Sequence, residues 1–175
     1  MRLALPAFLL ALLASASAIA ADPENTLYID LKDNCRVVIE MRPDLAPKHV
    51  AQIKKLAREG KYDGVVFHRV IAGFMAQTGD PDGTGMGGMG DKLPAEFSKE
   101  PHVRGAVSMA RTSDPNSARS QFFIVLKDSN FLDGQYTVWG KVTSGMEHVD
   151  KIKKGEPPSN PDKMVKVQVA ADAKD

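Results

Sequence analysis

The segment from Phe67 to Asp80, FHRVIAGFMAQTGD, sets one Arg and one Gln, Arg69 and Gln77, among Phe67, Phe74, Met75 and other apolar residues. Farther on, Ser120-Gln121-Phe122-Phe123-Ile124 and Phe131-Leu132-Asp133-Gly134 add aromatics beside turn residues. A guanidinium keeps its charge and only donates hydrogen bonds. Its chemistry here would be that of a fixed cationic donor beside a dry apolar surface, where each contact is stronger than in water. The pattern alone also fits, and more simply, a hydrophobic core carrying stray polar residues.

Other candidate chemistries fail on context. Gly83-Thr84-Gly85-Met86-Gly87-Gly88 matches the dinucleotide-binding pattern G-x-G-x-x-G. That reading needs a following helix whose N-terminus holds the pyrophosphate. Instead Met89-Gly90-Asp91-Lys92-Leu93-Pro94 follows, without helical period and with a Pro, so a turned surface loop is expected. The four histidines, His49, His68, His102 and His148, include no i, i+4 pair and no H-E-x-x-H, and read as structural or exposed. Ser108 and Ser120 lack the G-x-S-x-G context of a hydrolase nucleophile. Cys35 stands alone, which excludes an intramolecular disulfide and a cysteine zinc cluster, and reads as a structural thiol.

The elements that must position these residues belong to an ordinary globular chain of 175 residues, 43% hydrophobic and 26% charged. Lys+Arg is 23 against 22 for Asp+Glu, which gives no basic excess for nucleic acid. Residues 1–20 read as a signal peptide. Arg2 precedes the apolar run Leu3 to Ala14, too short to span a membrane, and Ala18-Ile19-Ala20 fits a cleavage site. Residues 21–175 then form one domain, large enough to fold without a disulfide or a metal, and a periplasmic location with no membrane association after cleavage is expected.

Within that domain, Thr26 to Leu31 and Arg36 to Met41 read as strands around the turn Lys32-Asp33-Asn34. A helix is expected from Pro47 to about Arg58, with Val50, Ile53, Leu56 and Ala57 on one face and Gly60 after its end. Val65 to Ile71, Phe74 to Thr78, Gly105 to Met109, Gln121 to Leu126, Thr137 to Val142 and Val165 to Val169 read as short strands. A second helix is expected over Met146 to Lys153, with Ser144 as N-cap and Gly155 beyond its end. About eight strands and two helices in this order point to a mainly β barrel or sandwich.

The stretches FHRVIAGFMAQTGDPDGTGMGG, AEF, GAVSMAR, NSARSQFFI, FLDGQYTVWGKV and GMEHVDKI resemble, in order, the signature of the cyclophilin family of peptidyl-prolyl cis-trans isomerases across most of residues 26–170. The resemblance implies a closed eight-stranded antiparallel β-barrel capped by two α-helices, with the active site on its outer face. By position, Arg69 matches the family's catalytic arginine. Phe74, Met75, Gln77, Phe123 and Leu132 match its proline pocket and substrate-binding positions, and Ala110 and Gln121 match groove positions. Proline-containing polypeptides are the implied partners, the implied state is a monomer, and no cofactor or metal is implied.

Three departures touch the substrate-binding set. Arg111 stands where many members have Asn, and the stretch from Arg111 to Arg119 is one residue longer than in common forms. Phe131 stands where many eukaryotic members have the Trp that contacts cyclosporin; Phe has no N–H donor, so cyclosporin binding is expected to be weak. Tyr136 stands where many have His. Trp139 falls within a strand and reads as packed. A second reading of the same barrel is a proline-peptide-binding chaperone with weak turnover, against which the retained Arg69 argues.

One geometric condition follows. If Ala72-Gly73 were a two-residue hairpin turn, Arg69 would oppose Ala76 and Gln77 would oppose His68. Side chains alternate along a strand, so Arg69 and Gln77 would point to opposite faces. A shared pocket requires a bulge or a different turn, and Gly73 is the residue able to supply it.

Overall fold

The computed structural model describes residues 21–174. The signal-peptide reading of residues 1–20 therefore lies outside the described residues. Eight strands form one antiparallel sheet: β1 (Thr26–Asp30), β2 (Arg36–Met41), β3 (Arg69–Ile71), β4 (Met75–Thr78), β5 (Ala106–Met109), β6 (Phe122–Val125), β7 (Val138–Ser144) and β8 (Lys166–Val169). Two helices accompany them, α1 (Pro47–Arg58) and α2 (Met146–Val149).

The strand order is β3-β4-β6-β5-β7-β2-β1-β8. It has two ends, so the closed barrel expected from the resemblance is corrected to an open, curled sheet. Between the end strands the chain makes only isolated contacts. Val66 bridges Lys163, the Phe67 N–H donates to the Asp162 carbonyl at 2.9 Å, and the Met164 N–H donates to the Val65 carbonyl at 2.9 Å. These contacts also explain why the strand expected from Val65 is reduced to Arg69–Ile71: residues before Arg69 pair with the irregular return segment rather than with a ladder.

The period-2 pattern sets the faces. Leu27 and Ile29 of β1 and Val37, Ile39 and Met41 of β2 point inward and are buried. Val70, Ala76, Val107, Phe122, Ile124 and Trp139 join them in the main core. Trp139 is packed as its strand position indicated, with the Phe122 ring edge-on at 5.3 Å and Tyr62 edge-on to Phe122 at 5.7 Å. Helix α1 lays Val50, Ile53, Leu56 and Ala57 on this core. The turn between β1 and β2 runs through Asp33 and Asn34 at φ 59° and 57°, the left-handed region that Asp and Asn tolerate.

Helix α2 is shorter than its sequence pattern. Beyond Val149 the turns tighten to three-residue bonds, with the Lys151 N–H on the His148 carbonyl and the Ile152 N–H on the Val149 carbonyl. Gly145, not Ser144, occupies its N-cap position at φ 90°. A Cβ there would stand 2.3 Å from the Arg36 carbonyl oxygen.

The outward residues of β4 and β6 form a second, smaller apolar cluster. Met75, Ala106, Phe123, Val125 and Leu132 are buried in it, with Ile71, Phe74, Ala110 and Tyr136 packed around them. An apolar cluster on the outside of a sheet must be covered or used.

Candidate active site

The β3–β4 hairpin decides whether Arg69 and Gln77 can cooperate. Its pairs are Arg69↔Gln77, Val70↔Ala76 and Ile71↔Met75. The connection therefore spans Ala72, Gly73 and Phe74, one residue more than the simplest turn. Gly73 lies at φ 69°, a conformation that costs other residues more than Gly. The extra residue puts Arg69 and Gln77 opposite one another on the outer face. The same register pairs Gln77 with Phe123 across β4 and β6.

Around them lies a cavity of about 700 Å³. Of the residues singled out from the sequence, Arg69, Phe74, Met75, Gln77, Ala110, Arg111, Phe123, Leu132 and Tyr136 line it. Gln121 and Phe131 do not. Gln121 stands behind Gln77, and the Phe131 side chain lies at the rim, its ring 5.6 Å from that of Phe74.

The polar wall is a directed relay. Arg69 Nη1 donates to Gln77 Oε1 at 3.4 Å, and Gln77 Nε2 donates to Gln121 Oε1 at 2.9 Å. Gln121 Nε2 then donates to the carbonyls of Gly85 and Gly87, at 3.0 and 2.7 Å. Each amide thus has its oxygen and nitrogen fixed by its neighbours.

Those two carbonyls belong to the glycine-rich loop, whose function is structural. The buried Asp80 carboxylate accepts from the N–H groups of Asp82, Thr84, Gly85 and Gly87 and from the Thr84 hydroxyl. Burial pushes the Asp80 carboxyl upward in pKa, but these donors outweigh it and hold it below the usual carboxylate range. The loop winds so tightly that a Cβ on Gly87 would stand 2.1 Å from Asp80 Oδ1. The anion that this G-x-G-x-x-G cradles is the protein's own carboxylate.

The apolar floor is braced from below. His102 is fully buried, stacked on Phe123 at 6.2 Å and edge-on to Tyr136 at 6.4 Å. Its Nδ1 pairs with Asp133 Oδ1 at 3.0 Å and its Nε2 with the Ser108 hydroxyl at 2.9 Å, while that hydroxyl donates to the Thr137 carbonyl at 3.0 Å. Burial pushes the His102 pKa below the ordinary histidine value, against the opposing pull of Asp133. This Ser–His–Asp alignment resembles a hydrolase triad, yet Ser108 and His102 are both inaccessible. It fixes Phe123 and Tyr136 and touches no substrate space.

On the opposite wall, Arg111 lies over the Tyr136 ring at 4.6 Å and donates from Nη2 to the Gln135 carbonyl at 2.7 Å. Sequence reasoning missed His68, Thr84, Glu156 and Pro157, which also line the cavity. The segment carrying Glu156 and Pro157 had no secondary-structure signal; its one cue was Gly155 after the second helix.

A fixed cation, a neutral amide and an apolar floor can hold an uncharged group and offer N–H bonds to an atom that becomes an acceptor. Comparison with known proteins identifies the family. The family model described as "Cyclophilin type peptidyl-prolyl cis-trans isomerase/CLD" matches residues 26–170. A Brucella suis protein named "Probable peptidyl-prolyl cis-trans isomerase" is 60% identical over 90% of this chain and 89% of its own. The Bacillus subtilis peptidyl-prolyl cis-trans isomerase B is 45% identical over 75% of this chain and 93% of its own. The crystal structure of cyclophilin AquaCyp293 from Hirschia baltica superposes with a TM-score of 0.80 at 33% identity, covering 88% of this chain and 77% of that one. A Cryptosporidium parvum cyclophilin type peptidyl-prolyl cis-trans isomerase, crystallised in the presence of the dipeptide Ala-Pro, superposes with a TM-score of 0.76 at 28% identity, over 82% and 98% of the two chains. With a family match that spans nearly the whole described fold and relatives this similar, the chain belongs to the cyclophilin-type peptidyl-prolyl cis-trans isomerases.

Proposed function

We propose that this chain binds the proline ring of X-Pro segments on the floor of Phe74, Met75, Phe123 and Leu132, and that Arg69 accelerates rotation about the preceding amide. The observation that carries the reading is the position of Arg69, at the cavity wall with its guanidinium braced by Gln77 above an apolar floor. The Ala-Pro dipeptide present with the Cryptosporidium relative is a ligand of the size and chemistry that this cavity fits.

The chemistry follows from the amide. Resonance gives the C–N bond a rotation barrier of about 18–20 kcal/mol. Trans and cis X-Pro differ by only about 0.5–1 kcal/mol yet interconvert over tens to hundreds of seconds. No bond breaks during the reaction. Twisting localises the nitrogen lone pair, which becomes an acceptor only then. A guanidinium N–H aimed at it favours the twisted state over both planar ones, the condition for catalysis. The apolar floor excludes water and strengthens that contact. Gln77 holds the guanidinium and offers its amide to the substrate backbone.

The clients are proposed to be exported proteins folding in the periplasm, on the strength of the signal-peptide pattern in residues 1–20. Exchange spectroscopy on a short Xaa-Pro peptide tests the catalytic role, comparing the intact protein with Arg69→Ala. By analogy with the loss of one oxyanion-hole donor, about 2.7–4 kcal/mol, the variant should lose on the order of a hundredfold or more in rate. Its fold should be unchanged, because the Arg69 side chain is 43% exposed. Equal rates would end the proposal.

A further inference from the structure

The return segment after α2 reaches the active site through one pair of hydrogen bonds. Val70 and Gly155 exchange both main-chain bonds, each 2.8 Å, in antiparallel register. One residue before Val70 is Arg69, and one residue after Gly155 is Glu156. Their side chains are therefore cross-strand neighbours on the outer face. Arg69 Nε donates to Glu156 Oε1 at 2.8 Å.

The guanidinium is thus held on two sides, by Glu156 at Nε and by Gln77 at Nη1. Among the described residues Nη2 has no hydrogen-bond partner. The segment holding Glu156 is itself fixed. Asp162 accepts the Lys153 N–H through its carboxylate and the Phe67 N–H through its carbonyl, both at 2.9 Å. Gly155 cannot be replaced without moving it, since a Cβ there would meet Pro158 Cα at 2.5 Å.

Two further observations concern charge. Among the described residues, Glu156 is the sole carboxylate in the cavity wall. Its second oxygen, Oε2, has no hydrogen-bond partner among them, and the side chain is 54% exposed to the groove and solvent. The other cation of the wall, Arg111, is already engaged with the Gln135 carbonyl and the Tyr136 ring.

We infer that Glu156 is a positioning residue for Arg69 whose free carboxylate oxygen also favours substrates with a cationic residue before the proline and disfavours those with an anionic one. The inference rests on the reading of Arg69 as the donor to the imide nitrogen. A residue adjacent to that nitrogen lies one guanidinium away from the carboxylate, close enough for a partly exposed ion pair. Such pairs are modest, and attraction of Lys combined with repulsion of Glu amounts to about three- to tenfold in selectivity.

The test measures kcat/KM by exchange spectroscopy for Ala-Lys-Pro-Ala, Ala-Glu-Pro-Ala and Ala-Ala-Pro-Ala with the full chain, Glu156→Gln and Glu156→Ala. In Glu156→Gln the Lys-over-Glu ratio should fall about three- to tenfold from the wild-type value. Turnover of the neutral peptide should fall less in Glu156→Gln than in Glu156→Ala, because the amide oxygen still accepts the Arg69 Nε–H. Glu156→Ala should lose the ratio and also lower neutral-peptide turnover. An unchanged ratio in Glu156→Gln, or full neutral-peptide turnover by Glu156→Ala, overturns the inference while leaving the isomerase reading standing. Absence of wild-type turnover on all three peptides would instead overturn the reading on which it rests.

Discussion

Arg69 and Gln77 face each other directly across the β3–β4 ladder, with the guanidinium Nη1 3.4 Å from the amide oxygen. That relationship depends on a single extra residue in the connection at Gly73. A one-residue slip turns every side chain of a strand to the other face. Arg69 would then lie with the buried Val70 and Ala76 side of the sheet, where a charge has no partner. The residue count of a hairpin turn is what brings a cation and an amide into one cavity.

The rate should not depend on protonation near neutrality. The reaction needs no proton transfer, and guanidinium groups keep their charge throughout that range. The titratable ring in the cavity wall, His68, is pushed below the ordinary histidine range, mainly by burial. That shift moves its titration away from neutrality, toward acid. The expected profile of kcat/KM between about pH 6 and 8 is flat. A steep bell measured there would require an acid–base step that the proposed mechanism lacks.

Asp80 should matter for both stability and turnover. It anchors the loop whose Gly85 and Gly87 carbonyls hold Gln121, which in turn holds Gln77. Asp80→Ala leaves buried N–H groups without an acceptor, a cost of about 1–3 kcal/mol, read as a lower urea midpoint. It should also lower kcat/KM several-fold by loosening the relay. The folded-state pKa of Asp80 is depressed. Its contribution to stability is therefore complete above the unfolded Asp value of about 3.9 and is lost as pH falls through the depressed folded value. Acid titration of wild type against the variant, followed by denaturant unfolding, should show the two curves converging at low pH.

Glu96 should affect stability alone. Helix α1 begins Ala46-Pro47, and Ala46 supplies no side-chain cap. The Glu96 carboxylate takes that place from a distant loop, accepting the N–H groups of Lys48 and His49 at 3.1 Å each. It also pairs with Nδ1 of the fully buried His49. Glu96→Ala should cost about 1–2 kcal/mol for the lost cap and more for the stranded imidazole. Glu96 does not line the active-site cavity, so kcat/KM per folded molecule should match wild type. A thermal melt and an exchange assay on the same sample separate this outcome from that of Asp80→Ala.

The contrast between these two carboxylates shows where sequence reading runs out. Strands such as Arg36–Met41 and helix α1 were legible because burial alternates or recurs along a continuous stretch. Arg69, Phe74, Met75 and Gln77 lie within one hairpin, so the site that they form could be located from a single motif. Glu96 caps a helix about fifty residues away, and Glu156 reaches Arg69 across 87 residues. No local period encodes such pairs; they exist only once the sheet has curled. The open seam between β3 and β8 was hidden for the same reason, since it is closed by irregular segments that carry no strand pattern.

Phe131 separates drug binding from turnover. Its side chain is at the rim, 67% exposed, packed beside Phe74 and outside the cavity lining. Many eukaryotic cyclophilins carry at this position a Trp that contacts cyclosporin. A phenyl ring offers apolar area but no donor, whereas an indole adds one N–H. A new hydrogen bond contributes about 0.5–1.5 kcal/mol, so Phe131→Trp should tighten cyclosporin binding by roughly two- to tenfold. The measurement is direct, because the native Trp139 is fully buried and the introduced indole would be the exposed reporter of binding. Turnover of a short Xaa-Pro peptide should stay near wild type, since its contacts lie on the cavity floor rather than at the rim. Equal cyclosporin affinity in both proteins would show that the introduced N–H adds nothing, and that other departures in the groove, Arg111 or Tyr136, set the affinity.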